Sequence, residues 1–239
     1  MRIGKAYILR IDNPTSIEYS KTAAESCERV GLPYEFFEGF NAQTLKQEKK
    51  NVWDEVKKEI PILKFGNRND GGSCATAGHF MIWKKILDNK ECAVILEHDA
   101  IMLHKPELEI FDNEITVLGY KCRDPENYDH VKAGPPKEII MRKKHGGAHA
   151  YAMTYRTAEN LLNELQTGKF HVSYIDNCYF FGTQGRGKHV KMSITDPICA
   201  IGWLRDSTIW SKAATDNYGP ILPSFLEHYD SNQSLEIKK

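Results

Sequence analysis

The fold is decided by the stretch Cys92-Ala93-Val94-Ile95-Leu96-Glu97-His98-Asp99. Its first five residues are apolar, and two carboxylates flanking a histidine follow them. A run this short and this apolar is typical of a buried strand in a parallel sheet. Because an unpaired charge is costly to remove from water, the strand is predicted to end at about Leu96. Glu97 and Asp99 then emerge at its carboxyl end.

The carboxyl ends of strands are where open α/β sheets bind their ligands. If the backbone stays extended for one more step, Glu97 and Asp99 point the same way, since side chains alternate along a strand. Two neighbouring carboxylates repel each other unless a cation lies between them, and Mn²⁺ or Mg²⁺ suits such oxygen ligands. The alternative is a solvated strand end, with each acid paired to a nearby Lys or Arg.

The bulk composition excludes several classes of protein. Lys plus Arg and Asp plus Glu both number 32, so no net field favours nucleic acid, and membrane contact is expected to be peripheral at most. No segment has the length of a signal peptide core or a membrane span. The 6 cysteines are scattered without a C-x-x-C pair, which predicts a reducing, cytoplasmic location.

The N-terminal region predicts a βαβ unit. A strand over Lys5–Ile11 precedes a helix that Asn13 can cap, that Pro14 suits in its first turn, and that Gly31 ends. Tyr34–Phe37 is the second strand. The dinucleotide fingerprint G-x-G-x-x-G is absent from the chain.

Further elements alternate along the chain, so an α/β fold is predicted, with a mostly parallel central sheet flanked by helices. We expect one domain over residues 1–217 and a flexible tail over 218–239. The region Lys121–His145 and the chain from Pro197 onward are predicted to be irregular. The remaining predicted elements are helices over Ser73–Leu87 and Arg156–Leu165, strands at Ile101–Leu103, Ile115–Leu118 and His189–Ile194, and a strand into which the small residues of Gly146–Met153 lead.

Two side chains in these elements have more than one interpretation. His79 lies on the second helix, one turn before Trp83, and a lone helical histidine is more often a satisfied core residue or a support than a ligand. Asp176 follows Val172-Ser173-Tyr174-Ile175. It is either a plain helix cap or a catalytic base at the same sheet edge as Glu97.

Several motifs, in this order and spacing, resemble glycosyltransferase family 25, the lipooligosaccharide and lipopolysaccharide galactosyltransferase type. The resemblance runs from Ile8 to about Ile209. The motifs are Tyr7-Ile8-Leu9-Arg10-Ile11-Asp12, the helix Gly72–Trp83 with its Cys and His, the acidic strand end Ile95–Asp99, Gly147–Met153, Thr157–Leu162, Ile175-Asp176, and Pro197 with Asp206–Ile209.

The resemblance implies a GT-A-like domain that transfers a hexose, galactose or glucose, from a UDP-sugar to a hydroxyl of a saccharide or glycolipid acceptor. It implies a Mn²⁺ or Mg²⁺ cofactor held by Glu97 and Asp99, and attack opposite the leaving group would invert the anomeric centre. Asp176 is the expected catalytic base, with His149 as the alternative. The expected donor-binding residues are Leu9, Arg10, Ile11, Phe40, Asn41, Ala42, His79 and His98.

The chain departs from the family pattern at two positions. His98 stands where the middle of three consecutive acids is usual, so it is either a nitrogen ligand of the metal or a residue that points into the core. Gly78 stands where a serine usually precedes the histidine.

Two other classes of protein remain as alternatives. The first is a catalytically degenerate module of the same fold that binds a sugar nucleotide or glycan, which the histidine at position 98 favours. The second, ranked low, is a nucleotidyltransferase. It would need a glycine-rich phosphate loop with Arg or Lys after the first strand, and Asp12-Asn13-Pro14 does not supply one.

Overall fold

The computed structural model describes residues 1–62, 68–121, 134–141, 148–167, 174–175 and 190–202. These residues form an α/β fold in which helices cover a central sheet, as predicted. The strands are β1 Lys5–Arg10, β2 Tyr34–Glu38, β3 Cys92–Glu97, β4 Ala100–Met102, β5 Glu114–Val117, β6 Gly119–Lys121, β7 Glu138–Met141, β8 Ala150–Thr154, β9 Lys191–Asp196 and β10 Ala200–Gly202. The helices are α1 Pro14–Arg29, α2 Ala42–Gln47, α3 Val52–Lys57, α4 Gly71–Asp88 and α5 Tyr155–Gln166.

The central sheet has seven strands in the order β2-β1-β3-β8-β5-β9-β7, and a second sheet has the order β4-β10-β6. Pairing in the central sheet is parallel for β2–β1, β1–β3 and β5–β9. It is antiparallel for β3–β8, β8–β5 and β9–β7. The sheet is therefore mixed rather than mostly parallel. Its first three strands in spatial order, β2, β1 and β3, are parallel to one another, as predicted.

The two faces of the central sheet bury separate apolar clusters. Alternate residues of β3 divide between them: Ala93 and Ile95 pack with α3, α4 and α5, whereas Val94 and Leu96 pack with α1. A strand that is buried on both faces reads as a continuous apolar run, which is why the sequence identified β3.

The βαβ unit at the N-terminus is confirmed. The Asn13 side chain accepts hydrogen bonds from Thr15 N (2.9 Å) and Ser16 N (3.3 Å), and Pro14 occupies the first position of α1. Gly31 has a φ of +68°, the left-handed conformation that glycine adopts readily at the end of a helix.

Two predictions of irregular structure are wrong in part. The region Lys121–His145 contains β7, which pairs with β9, and the chain beyond Pro197 contains β10, which pairs with β4 and β6. Both strands are short and follow prolines, so local composition hid them. The C-terminal tail predicted for 218–239 lies outside the described residues.

The described cysteines are free thiols inside the core, as their apolar surroundings in the sequence indicated. Burial raises the pKa of each to about 12, so they stay protonated and unreactive at neutral pH. They are Cys27, Cys74, Cys92 and Cys199.

The contact between the two strands β6 and β10 provides a stability test. A Cβ at Gly119 would lie 1.6 Å from the carbonyl oxygen of Ala200, whereas a Cβ at Gly4 would have its nearest neighbour 3.9 Å away. We expect Gly119→Ala to lower the free energy of unfolding by about 3 kcal/mol or more, through overpacking. Gly4→Ala is the matched control and should change it little. Urea unfolding measures both, and equal stabilities would contradict the close contact.

Candidate active site

The carboxyl ends of β1, β2 and β3 lie at one edge of the central sheet. Leu9 pairs with Phe37 on one side and with Glu97 on the other. The strand β8 runs in the opposite direction, so its beginning lies at this same edge, and Glu97 N donates to the carbonyl oxygen of His149 (2.8 Å). The topology thus brings several of the predicted site residues to one edge.

Glu97 is the last residue of β3, one residue later than predicted. His98 and Asp99 form a turn, and β4 begins at Ala100. The backbone does not stay extended to Asp99, so strand alternation does not govern how Glu97 and Asp99 are oriented. The Glu97 side chain is 23% exposed, and Asp99 is 8% exposed.

His79 lies directly beneath Glu97. Its Nε2 is 3.3 Å from Glu97 Oε1, and its Nδ1 is 2.8 Å from the Tyr151 hydroxyl oxygen. The same oxygen accepts a hydrogen bond from Trp83 Nε1 (2.8 Å). Sequence reasoning placed Trp83 one turn after His79 but missed Tyr151, which belongs to β8.

His98 lies on the opposite face of the sheet from the Glu97–His79 contact. Its ring stacks on that of Tyr19 in α1, with centroids 6.3 Å apart and an interplanar angle of 13°. The histidine that replaces the middle acid therefore lies toward α1, on the side of β3 where Leu96 also packs. Its predicted role in donor binding stays a prediction.

Arg10, the last residue of β1, and Ile11, the residue after it, are predicted donor-binding residues that make contacts at this strand end. Arg10 Nε donates to Glu38 Oε1 (2.5 Å), and its guanidinium lies 4.0 Å from the centre of the Phe36 ring. The Ile11 backbone N–H donates to Ser16 Oγ (3.0 Å).

Leu9 is buried between two glycines. A Cβ at Gly39 or at Gly78 would each come within 2.8 Å of Leu9 Cδ1. The absence of side chains at both positions therefore lets α4 and the loop after β2 approach the end of β1.

The loop after β2 is tied to the loop after β1 through Asn41. Its Oδ1 accepts from Gln43 N (2.9 Å) and caps α2, while its Nδ2 donates to the carbonyl oxygen of Asp12 (2.6 Å). Phe40 and Ala42 flank it and pack on the core cluster that contains α4. The loop is therefore ordered by its own contacts, in the place where the donor is predicted to bind.

His149, the alternative base, is 1% exposed. Its ring packs against Gly202, where a Cβ would come within 2.7 Å of His149 Cγ. A base must reach the hydroxyl of an acceptor, so this enclosed position supports His149 less than an open one would.

Asp176, the predicted base, lies outside the described residues, but the two residues before it are described. Ile175 N donates to Thr76 Oγ1 (2.9 Å), and the Tyr174 hydroxyl donates to Asp70 Oδ2 (2.7 Å). A Cβ at Gly72 would come within 2.5 Å of the Tyr174 ring. The first turns of α4 thus hold the chain just ahead of Asp176.

The predicted metal ligands agree in chemistry with Mn²⁺ or Mg²⁺. Glu97 and Asp99 supply carboxylate oxygens at a strand end, and such cations are often held by one or two carboxylates together with substrate phosphates. Within the described ranges, no three His, Cys, Asp or Glu side chains come together as a complete ligand set.

Comparison of the sequence with known families identifies the class of protein. Residues 14–178 match the model of "Glycosyltransferase family 25 (LPS biosynthesis protein)". This match covers more than half of the chain, so the protein belongs to glycosyltransferase family 25. The matched range includes Glu97, Asp99, His149 and Asp176.

Solved structures of other glycosyltransferases resemble the chain at low sequence identity. The galactosyltransferase LgtC, in complex with donor and acceptor sugar analogues, has a TM-score of 0.40 and 13% identity, covering 95% of each chain. Mouse xyloside xylosyltransferase 1 has a TM-score of 0.37 and 11% identity, covering 68% of this chain and 71% of its own. None of the curated proteins compared with the chain matches it.

In the described part of the chain, no helix has both the length and the apolar character that a transmembrane segment requires.

The cap of α4 gives a pH-dependent prediction. Burial pushes the pKa of Asp70 up, but hydrogen bonds from Ser73 N–H and the Tyr174 hydroxyl, together with the nearby Arg68, lower it overall. A carboxyl with a lowered folded-state pKa stabilises above its unfolded pKa, and this stability is lost as the pH falls through the folded value.

We therefore expect Asp70→Ala to lower the free energy of unfolding by about 1 kcal/mol at neutral pH. The difference from the wild type should shrink as the pH falls below the ordinary range of aspartate. Asp88→Ala, at the exposed other end of α4, is the control. A difference independent of pH in urea unfolding would contradict a charged cap.

Proposed function

We propose that this family 25 glycosyltransferase transfers galactose or glucose from a UDP-sugar to a hydroxyl of a saccharide or glycolipid acceptor, with inversion of the anomeric centre. The family match over residues 14–178 carries the assignment to glycosyl transfer. The position of Glu97 at the carboxyl end of β3, beside the ends of β1 and β2, supports donor binding at this edge.

In this proposal, the predicted site residues bind different parts of the donor. Leu9, Arg10 and Ile11, with the loop Phe40-Asn41-Ala42, hold the nucleotide at the first strand ends, and Glu97 and Asp99 hold Mn²⁺ or Mg²⁺. When bound, this cation neutralises charge on the diphosphate oxygens of the donor.

The transfer itself needs a base on the opposite side of the sugar. The acceptor oxygen forms a bond to the anomeric carbon as the bond from that carbon to the diphosphate oxygen breaks, and UDP leaves with the electron pair. Asp176 takes the proton of the acceptor hydroxyl. Just ahead of it in the chain, the Tyr174 hydroxyl donates to Asp70 and the Ile175 backbone N–H donates to Thr76, which supports a base supplied from this segment. His149 is the alternative base.

The setting is proposed to be the cytoplasm, where sugar nucleotides are available and the buried thiols stay reduced. The balanced charge, with 32 basic and 32 acidic residues, favours a saccharide partner over nucleic acid and allows only peripheral contact with a membrane.

A second candidate is a module that binds sugar nucleotides without turning them over. The observation that favours it is His98, which stands in place of an acid and stacks on Tyr19. The two candidates differ in donor hydrolysis, which the binding module would not show.

The direct test is a screen of UDP- and GDP-sugars for hydrolysis with and without Mn²⁺. We expect hydrolysis of a UDP-hexose that depends on Mn²⁺, and Asp99→Ala should abolish the metal-dependent part. The exposed Asp54→Ala is the control and should leave it unchanged. Turnover that is the same without metal and in Asp99→Ala would contradict the assigned ligands.

The assignment of the base has its own test. Asp176→Asn keeps the size of the side chain but cannot accept the proton, so sugar transfer should fall by at least about 100-fold. Donor affinity, measured by calorimetry with UDP-sugar and Mn²⁺, should stay close to that of the wild type. Transfer at the normal rate in Asp176→Asn would show that another group, His149 first, is the base.

A further inference from the structure

A chain of buried polar side chains runs beneath Glu97. Trp83 Nε1 donates to the Tyr151 hydroxyl oxygen (2.8 Å), which lies 2.8 Å from His79 Nδ1, and His79 Nε2 lies 3.3 Å from Glu97 Oε1. Trp83, Tyr151 and His79 are each 0% exposed, whereas the Glu97 side chain is 23% exposed. This series of hydrogen-bonded side chains therefore begins in the core and ends at the candidate donor site.

The chemistry of these groups determines which group donates in each hydrogen bond of the series. An indole N–H only donates, so the Tyr151 oxygen accepts from Trp83, and the tyrosine has one proton of its own to give. If that proton points at His79 Nδ1, this nitrogen is an acceptor, and the neutral imidazole carries its proton on Nε2. The proton on Nε2 then faces the Glu97 carboxylate.

The opposite assignment is less favourable. A proton on Nδ1 would leave the lone pair of Nε2 facing Glu97 Oε1 at 3.3 Å. Two acceptors would then face each other next to a His79 ring that is 0% exposed, and such a contact is costly.

We propose that Trp83 and Tyr151 are positioning residues that fix His79 in its Nε2–H tautomer, and that His79 serves the donor site by orienting the Glu97 carboxylate rather than by touching the donor. The link to the donor site rests on the proposed function, whereas the assignment of the tautomer does not. The ring of His79 is also stacked on that of Tyr151, with centroids 5.6 Å apart and an interplanar angle of 25°, so its plane is held as well.

Such a support is expected to matter for binding at Glu97. A hydrogen bond to a carboxylate is stronger than one between neutral groups and fixes the direction of the carboxylate oxygens. Partners that orient metal-binding side chains typically contribute about 10-fold to 100-fold in affinity or activity.

The tautomer is tested by NMR of the protein labelled with ¹⁵N-histidine, without metal or substrate. Loss of one signal set in His79→Gln assigns the His79 ring among the 9 histidines of the chain. We expect the wild-type ring to carry its proton on Nε2, and Tyr151→Phe to mix or reverse the tautomers. A wild-type proton on Nδ1 overturns the proposal by itself, even if the variant does not fold.

Tyr7→Phe is the matched control for the loss of a hydroxyl. Tyr7 is also 0% exposed and packs in the same apolar cluster, but its hydroxyl bonds with Glu91 and Asn89 at the other end of the sheet. The His79 signals should not change in this variant. A pattern that is unchanged in Tyr151→Phe, or equally changed in Tyr7→Phe, overturns the role of Tyr151.

The link to the donor site is tested by Mn²⁺ binding, followed by the electron paramagnetic resonance signal of the free ion. We expect Tyr151→Phe to bind Mn²⁺ about 10-fold more weakly and Tyr7→Phe to match the wild type. Unchanged Mn²⁺ affinity in Tyr151→Phe overturns the positioning role. A wild type that binds no Mn²⁺ overturns it too, together with the proposed metal site, while the tautomer assignment stands on the NMR result.

Discussion

The close approach of α4 to the end of β1 is the contact on which the candidate site depends. At Gly78 the helix has no side chain, and a Cβ there would come within 2.8 Å of Leu9 Cδ1. Since Leu9 pairs with Glu97 across β1 and β3, the residue after Gly78 is brought directly beneath Glu97. A serine at position 78, the residue that the family pattern led us to expect, would have to displace Leu9 or the helix. The glycine thus leaves room for the Leu9 side chain beside the turn of α4 that carries His79.

Much of the fold was predictable because its signals are local. The cap at Asn13, the left-handed Gly31 and the apolar run of β3 are each decided by a few neighbouring residues. Strand direction is different, because β8 lies antiparallel beside β3 through pairs such as Ile95 with Tyr151, which are far apart in the chain. Short strands in proline-containing segments also give no periodic signal, so β7 and β10 were missed.

The candidate site was also predictable from the sequence only where its signals are local. The sequence predicted that Glu97 would emerge at the end of a buried strand, because burial of an unpaired carboxylate is costly. It identified His79 as a support but not the partners of His79, since His79 and Tyr151 are separated by 72 residues and Trp83 and Tyr151 by 68. The bonds among them exist only after α4 has packed on β8. Tyrosine and tryptophan within apolar runs are ordinary core residues, and nothing local marks these two as part of a site.

His98, which stands at the middle position of the acidic strand end, lies on the opposite side of β3 from the contact between Glu97 and His79. Ile95 and Glu97 project toward α4, whereas Leu96 and His98 project toward α1. The two sides of the strand end are thus supported by different helices, Glu97 by His79 and His98 by Tyr19. A substitution at position 98 acts first on the packing of α1, and its effect on Glu97 must pass through the strand backbone. The same helix α4 that supports Glu97 also binds Tyr174 and Ile175 at its first turns, so one rigid element links the candidate donor site to the segment before Asp176.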